Sequence, residues 1–469
     1  MNIVVVGGGT SGCISALILK QRFPQYDIHI IESSKIGTIG VGEGSTEHWT
    51  DFCDYVDIDM GDVLRECGAT FKMGILFDKW DDEPFMHSLL PDTCRNDHGY
   101  YYTYAHQIVN NYPKRDMQSE YVWNNECPED GLEVRQLHFD TDKLNEFLHK
   151  KCFERGISVH VDDIKYVHVG EGIEYVEGNK RYYAHVFIDC TGFRRLLISK
   201  LGVGWKSYSE YLPLNSAITF PTAEQKEYNM WTKATAYDAG WGWTIPTRDR
   251  TGNGYVFCDK FITTDEAKDE MRKHHGQYIR FGKEFKFDPG RVEKFWERNC
   301  IAVGLAGSFV EPLEASSIGS TIQQVFALTQ MLPSWSRDRY NKIVIDMFDN
   351  IVDYIVAHYL TRREDTPFWK YIKENLKVPK SLQDLLSVWE HRLPHSSDMY
   401  IPWEMFHAAN YVPILHGLNW FNVNKIKHEY DSFPNHQRIE KEMKDLKDFY
   451  RRVPKKGHKR TLQMLTKRR

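Results

Sequence analysis

The sequence predicts an α/β fold: a Rossmann-like, dinucleotide-binding domain joined to a β-sheet region and a helical C-terminal part. Three observations predict it. Residues 3–6 form an apolar run that leads directly into Gly7-Gly8-Gly9-Thr10-Ser11-Gly12 and a helical pattern. Residues 200–300 carry short strands, turn residues and many aromatics. Beyond Gly319 the apolar residues recur at helical spacing.

Each element follows from local chemistry. Residues 3–6 have the unbroken apolar character of a central parallel strand. Ile14, Ala16, Leu17 and Leu19 begin a helix, and residues 28–31 are a second apolar run ending at Glu32. Residues 141–155 read as a helix: Asp140 or Thr141 caps it, Leu144, Phe147, Leu148 and Cys152 share a face, and Gly156 stops it. Val159 and Val161 alternate as a strand. Residues 173–176 and 181–186 flank Gly178-Asn179 as a hairpin, and residues 186–189 enter Cys190-Thr191-Gly192. One helix is expected to end near Pro333, and another carries Ile343, Met347, Ile351 and Ile355 on one buried face. The last nineteen residues hold nine Lys or Arg and no acid, the pattern of a solvated, frayed tail. The predicted organisation is a discontinuous dinucleotide domain (1–80, 140–200 and 295–330), a substrate-binding sheet region (81–139 and 201–294), a helical cover (331–450) and a basic tail (451–469).

Composition narrows the function classes. With 65 acids against 60 bases the 469-residue chain has a formal charge of −5, which argues against a nucleic-acid partner. Hydrophobic residues at 41% and charged residues at 27% fit a folded protein. No apolar run reaches the ~18 residues of a membrane span, so no membrane partner is expected. The start of the chain has no basic segment or cleavage site, so no signal peptide is expected. Nine scattered cysteines without a CxxC pair predict neither a disulfide scaffold nor a metal site, and reduced thiols in a cytoplasm are the expectation. The aromatic content of 14% suits an aromatic-rich core or a pocket for a flat ligand.

The Gly7-x-Gly9-x-x-Gly12 loop has its full context, a strand before it and a helix after it. Gly7 permits the tight turn, Gly9 lets the backbone approach a pyrophosphate, and Gly12 lets the helix pack on the strand. Thr10 and Ser11 lie at the helix N-terminus, whose N–H groups face phosphate. Glu32, twenty residues after Gly12, would accept from a ribose hydroxyl pair. FAD and NAD share this fingerprint. The N-terminal position of the loop and a later strand and small-residue turn at 301–308 favour FAD.

Several segments together resemble the flavin-dependent halogenases of the tryptophan-halogenase type. Trp241-Gly242-Trp243-Thr244-Ile245-Pro246 matches that family's WxWxIP signature. Residues 40–46 (Gly-Val-Gly-Glu-Gly-Ser-Thr) look like its flavin strap, and residues 188–194 like its strand leading to the middle of the flavin. Residues 309–314 and 365–369 match further family segments. The resemblance spans about residues 1–420 and leaves the basic tail uncovered. The compact length is similar to that of the family's marine-virus members.

The resemblance implies a flavin-monooxygenase-type FAD domain and a reaction. Reduced FAD from a separate flavin reductase reacts with O2 to give a C4a-hydroperoxide. A halide ion takes its distal oxygen to form hypohalous acid, which travels to a lysine beside an aromatic small molecule. The lysine falls at Lys72, in Ala69-Thr70-Phe71-Lys72-Met73. As a neutral amine it would form a haloamine; as an ammonium it would polarise hypohalous acid, and the sequence leaves both open. Lys79 is its rival, in a segment where the family usually has Asn. The acid falls at Glu314, after Pro312-Leu313, with Glu311 as the competitor. Assigned to the cofactor are Gly7, Gly9, Thr10, Ser11, Gly12, Glu32, Val41, Gly42, Glu43, Ile164, Leu305 and Ile318. Ser316 and Ser317 fall at the halide site, and Pro312, His87, Leu89 and Phe406 at the substrate.

The chain departs from the family at two places. Ser316-Ser317 stands where Thr-Gly usually lines the halide site, and the added side chain at 317 obstructs close backbone approach. Bromide and iodide shed water more readily than chloride, so the heavier halides are expected to be preferred. Leu89 and Phe406 stand where the tryptophan users have an aromatic and a Trp. Each ring stack contributes roughly 0.5–1.5 kcal/mol, so free tryptophan is not the expected substrate. A flavin-dependent hydroxylase and a non-catalytic FAD-binding protein are the alternatives, and an oligomer is left open.

Overall fold

The computed structural model describes residues 1–37, 43–88, 97–114, 122–128, 136–276, 278–399, 401–432 and 436–467. A six-stranded sheet carries the dinucleotide domain in the order Trp296–Glu297, Cys300–Ala302, Val186–Asp189, Asn2–Val6, Asp27–Glu32 and Ser158–Val161. All neighbours are parallel except the first pair. Strand Asn2–Val6 is central because Ile3, Val4, Val5 and Val6 are all buried, as its unbroken apolar sequence requires. Helices Thr10–Arg22 and Thr141–Glu154 pack together beside it. Asp140 caps the second, its Oδ1 accepting from the N–H of Asp142 and of Lys143 at 3.2 Å, and Gly156 follows at φ 68°.

The second sheet has seven strands: Glu284–Lys286, Ser216–Thr222, Thr251–Phe257, Gly240–Pro246, Trp231–Tyr237, Gly74–Asp78 and Phe85–Ser88. Two differences from the sequence reading appear here. Strand Gly74–Asp78 was expected in the dinucleotide domain, yet it pairs in parallel with Trp231–Tyr237, because Gly74, Ile75 and Phe77 bury into this layer. Of the expected hairpin at 173–186, only Arg181–Tyr182 pairs with Ile173–Glu177; Val186 already begins the central-sheet strand. A small sheet joins the layers, in the order Glu43–Gly44, Leu137–Phe139 and Thr70–Phe71.

Helix Ser316–Met331 leads into the helical part, where Arg337–His358 buries Ile343, Met347, Ile351 and Ile355. The tail departs from its expectation. Lys455–Gly457 pairs antiparallel with Glu126–Pro128, and helix His458–Lys467 buries His458 and Leu462. Lys455 and Lys459 pair with Glu126 and Glu224, whereas His458 and Leu462, four apart, form one inward stripe. Among the described residues no helix is long and apolar enough to cross a membrane, and eight cysteines are free thiols.

Candidate active site

The glycine loop closes as its spacing requires. A Cβ on Gly7 would lie 2.2 Å from the Cys190 carbonyl oxygen, and one on Gly12 would lie 1.9 Å from the Gly7 carbonyl oxygen. A Cβ on Gly9 would meet nothing within 4 Å, so the loop opens into space there. That space is a cavity of about 440 Å³ lined by Gly7, Gly9, Thr10, Ser11, Gly12, Glu32, Glu43, Ile164, Leu305, Ser317 and Ile318 among others. His149 donates from Nε2 to the Gly8 carbonyl at 2.7 Å and stands beside Glu32, 3.3 Å from Oε2. Val41 and Gly42 lie outside the described residues.

A second, mostly apolar cavity of about 180 Å³ adjoins it and shares Glu43, Leu305, Ser317 and Ile318 with the first. Its wall includes Phe193, Trp241, Trp243, Phe285, Phe287, Phe309, Pro312 and Ser316. Burial pushes the Glu43 carboxyl up to about 7. Trp241 is fixed from behind: its indole N–H donates to Glu311 Oε1 at 3.2 Å, and the Tyr359 hydroxyl donates to the same carboxyl at 2.8 Å. Burial raises Glu311 to about 8, against these two donors. Glu311 thus braces the wall from behind, whereas Glu314 lines the cavity itself.

Glu314 and Ala315 both have positive φ, 63° and 55°, immediately before helix Ser316–Met331. Two successive left-handed non-glycine residues turn the chain sharply, at a cost of roughly 1–2 kcal/mol each. The helix N-terminus has no side-chain cap and lines the second cavity through Ser316, Ser317 and Ile318, next to Glu314 and Ala315. Glu314 enters a buried cluster. His87 Nδ1 lies 2.9 Å and 3.0 Å from its two oxygens, and His358 Nε2 lies 3.1 Å from Oε1. His358 Nδ1 is 2.8 Å from the Tyr354 carbonyl, which can only accept, so that nitrogen donates. The Asn410 amide, 3.3 Å from His87 Nε2, donates to it and turns the Nδ1–H toward Glu314. Burial alone would raise the Glu314 carboxyl, but the two histidines overcome it and hold the group well below the usual carboxylate range.

Lys72 is 1% exposed. Its Nζ donates to the Ser45 carbonyl at 2.7 Å and to Gln136 Oε1 at 3.4 Å. The Gln136 amide in turn donates to Glu47 Oε2 at 3.2 Å. The lysine stem and Ala315 both pack against Gly44: a Cβ there would touch Lys72 Cδ at 3.3 Å and Ala315 Cβ at 3.4 Å. Burial lowers the amine to about 8, opposed by attraction from Glu314 and Glu47. Glu314, 242 positions away in the sequence, is thus near enough for its charge to favour the ammonium. Lys79 is exposed with φ 63°, a conformation that suits Asn better than Lys.

His87 is buried and committed to Glu314, with the Tyr354 hydroxyl 3.2 Å from its Nδ1. Phe406 is buried too, stacked on Tyr354 at 4.1 Å and 28°. Leu89 lies outside the described residues. Sequence reasoning missed His358, Tyr354, Gln136 and Glu47. Tyr354 and His358 are four apart on a helix whose apolar period was visible, which is the one signal that could have paired them.

A phosphate-binding glycine loop on a parallel sheet, opening onto an aromatic cavity walled by a second sheet, defines a dinucleotide-dependent oxidoreductase. The family model for tryptophan halogenase matches residues 2–432. The 7-chloro-L-tryptophan 6-halogenase KtzR of Kutzneria sp. (strain 744) is 30% identical over 474 residues, covering 88% of this chain and 90% of that one. The tryptophan 7-halogenase RebH of Lentzea aerocolonigenes is 29% identical, covering 89% of each. The solved structure of Tar14, a tryptophan C-6 flavin-dependent halogenase (chlorinase) from taromycin biosynthesis, superposes with a TM-score of 0.85 at 26% identity over 99% of both chains. The chain belongs to the tryptophan halogenase family and is a flavin-dependent halogenase.

Proposed function

We propose that the protein halogenates an aromatic small molecule other than free tryptophan, using reduced FAD from a separate flavin reductase, O2 and a halide ion, with Lys72 carrying the oxidised halogen. The observation that carries this reading is a buried amine, lowered to about 8, beside the wall of the second cavity and within the field of Glu314.

The residues present fit FAD. The backbone at Gly9 opens into space, the helix at Thr10 and Ser11 offers N–H donors to a pyrophosphate, and Glu32 stands where a ribose would lie. The shared wall of Glu43, Leu305 and Ile318 lets an elongated ligand reach from the first cavity into the second. When bound, reduced FAD would give O2 two electrons, and the partly reduced oxygen would take two more from the halide, which leaves as hypohalous acid with water.

The chain's own residues perform the rest. Uncapped N–H groups at Ser316 and Ser317 attract the halide, and the 317 side chain favours bromide or iodide over chloride. Lys72, at about 8, has both amine and ammonium forms available near neutrality. It can bond to hypohalous acid or accept the halogen. Glu314, with both oxygens engaged by histidines, acts by its charge on Lys72. Pro312 walls the second cavity, while His87 and Phe406 act from behind it, through Glu314 and Tyr354. The reduced thiols suit a cytoplasmic setting.

Turnover with reduced FAD, each halide in turn and a panel of phenols, indoles and aryl rings, read by mass spectrometry, tests the proposal. Halide-dependent mass shifts support it. Hydroxylated product formed without halide contradicts it and favours a flavin hydroxylase.

A further inference from the structure

We propose that His458, in the tail beyond the span of the family match, is a positioning residue for Lys72. This rests on the reading of Lys72 given above. Strand Thr70–Phe71 is the edge of its three-stranded sheet and pairs on one side only, with Leu137–Phe139. Its outward N–H groups are buried and need acceptors. The Phe71 N–H, one residue before Lys72, donates to His458 Nε2 at 3.0 Å.

The ring is suited to that single task. Its other nitrogen, Nδ1, donates to the Tyr228 carbonyl at 3.1 Å, so one tautomer satisfies both backbone groups. The ring is 0% exposed and stacks on Phe71 at 5.2 Å and 19°. Burial pushes its pKa down to about 4, which keeps Nε2 a bare acceptor at neutral pH. The tail holds the ring in place by unrelated contacts. The His458 N–H donates to the Asn125 carbonyl at 3.0 Å, and the Lys459 N–H donates to Glu227 Oε1 at 2.7 Å. Lys455–Gly457 pairs with Glu126–Pro128, and Leu462 is buried.

The other bonds of this edge leave the Phe71 N–H as the fixing point. Thr70 Oγ1 donates to the Pro246 carbonyl, within the WxWxIP segment, at 2.7 Å, and the Lys72 N–H donates to the Gln136 carbonyl at 3.0 Å. With the Phe71 bond lost, the strand is held before and after that point but not at it. The Lys72 amine then loses its fixed line to Ser45.

The test compares the full-length wild type with His458→Ala and His458→Gln. Gln can accept from Phe71 and donate to Tyr228, so it serves as the conservative rescue. Three quantities are read: hydrogen exchange of the Phe71 amide, FAD affinity, and the split of oxidised halide between arene product and free hypohalous acid caught by a β-dicarbonyl trap. In His458→Ala, exchange at Phe71 should rise about tenfold and product kcat fall about tenfold, with KM and FAD affinity within about twofold and more acid trapped. His458→Gln should restore most of the loss. Wild-type exchange and product yield in His458→Ala would overturn the proposal. So would equal damage in both variants, or FAD affinity falling in step with product. If the wild type itself yields no halogenated arene, the functional reading fails separately, and the Phe71 exchange alone still decides whether the tail fixes the strand.

Discussion

The Lys72 amine donates to the Ser45 carbonyl across 2.7 Å, so the side chain that lies beside Ala315 is fixed by the segment that follows Glu43. The same segment lines both cavities through Glu43. One short stretch therefore couples the cofactor space to the amine, and a shift of either is felt by the other.

The depressed Lys72 value has a consequence for stability. The unfolded lysine holds its proton up to 10.5, the folded one only to about 8. Between those values the unfolded state binds more protons, so stability rises with pH. Below pH 8 the buried ammonium costs about 3 kcal/mol, and the cost vanishes above 10.5. Against Lys72→Met, the wild type should therefore gain about 3 kcal/mol between pH 8 and 10.5 in denaturant unfolding.

Glu314→Gln places an amide among donors. His87 Nδ1 faces both carboxyl oxygens, so the Gln nitrogen would oppose it. Breaking such a buried cluster should cost about 3 kcal/mol, read as a lower Tm. It should also remove the field that favours the Lys72 ammonium. Product kcat should fall more than FAD affinity.

Gly9→Ala and Gly12→Ala separate folding from cofactor binding. The Gly9 Cβ enters open space, so the protein without cofactor should keep its Tm, while FAD affinity falls at least about tenfold. The Gly12 Cβ meets the Gly7 carbonyl at 1.9 Å, so that variant should lose folded protein outright. Calorimetry and flavin titration of the two variants distinguish them.

Ser317→Gly removes the side chain at the uncapped N-terminus of helix Ser316–Met331. With equimolar halides the wild type should make brominated or iodinated product in excess. The glycine variant should raise the chlorinated share about tenfold. An unchanged ratio would assign halide choice to other residues.

The dinucleotide domain was legible because its determinants are local. Gly7, Gly9 and Gly12 sit within six residues, and a strand, a turn and a helix leave few alternatives for them. The Glu314 cluster was not legible. Its members come from positions 87, 314, 354, 358 and 410, and no single segment shows that they meet. The tail misled for a different reason. Nine cations hide a two-residue inward stripe, His458 and Leu462, and composition weighs the charges rather than the spacing. Strand Gly74–Asp78 left its expected domain because pairing partners more than 150 residues away decide which sheet a short strand joins.

The most direct test is single-turnover halogenation by Lys72→Ala loaded with reduced FAD, bromide and an accepting arene. The account predicts FAD affinity within about twofold of wild type, free hypobromous acid still released, and brominated arene reduced at least about a hundredfold. Brominated arene at the wild-type yield would contradict it.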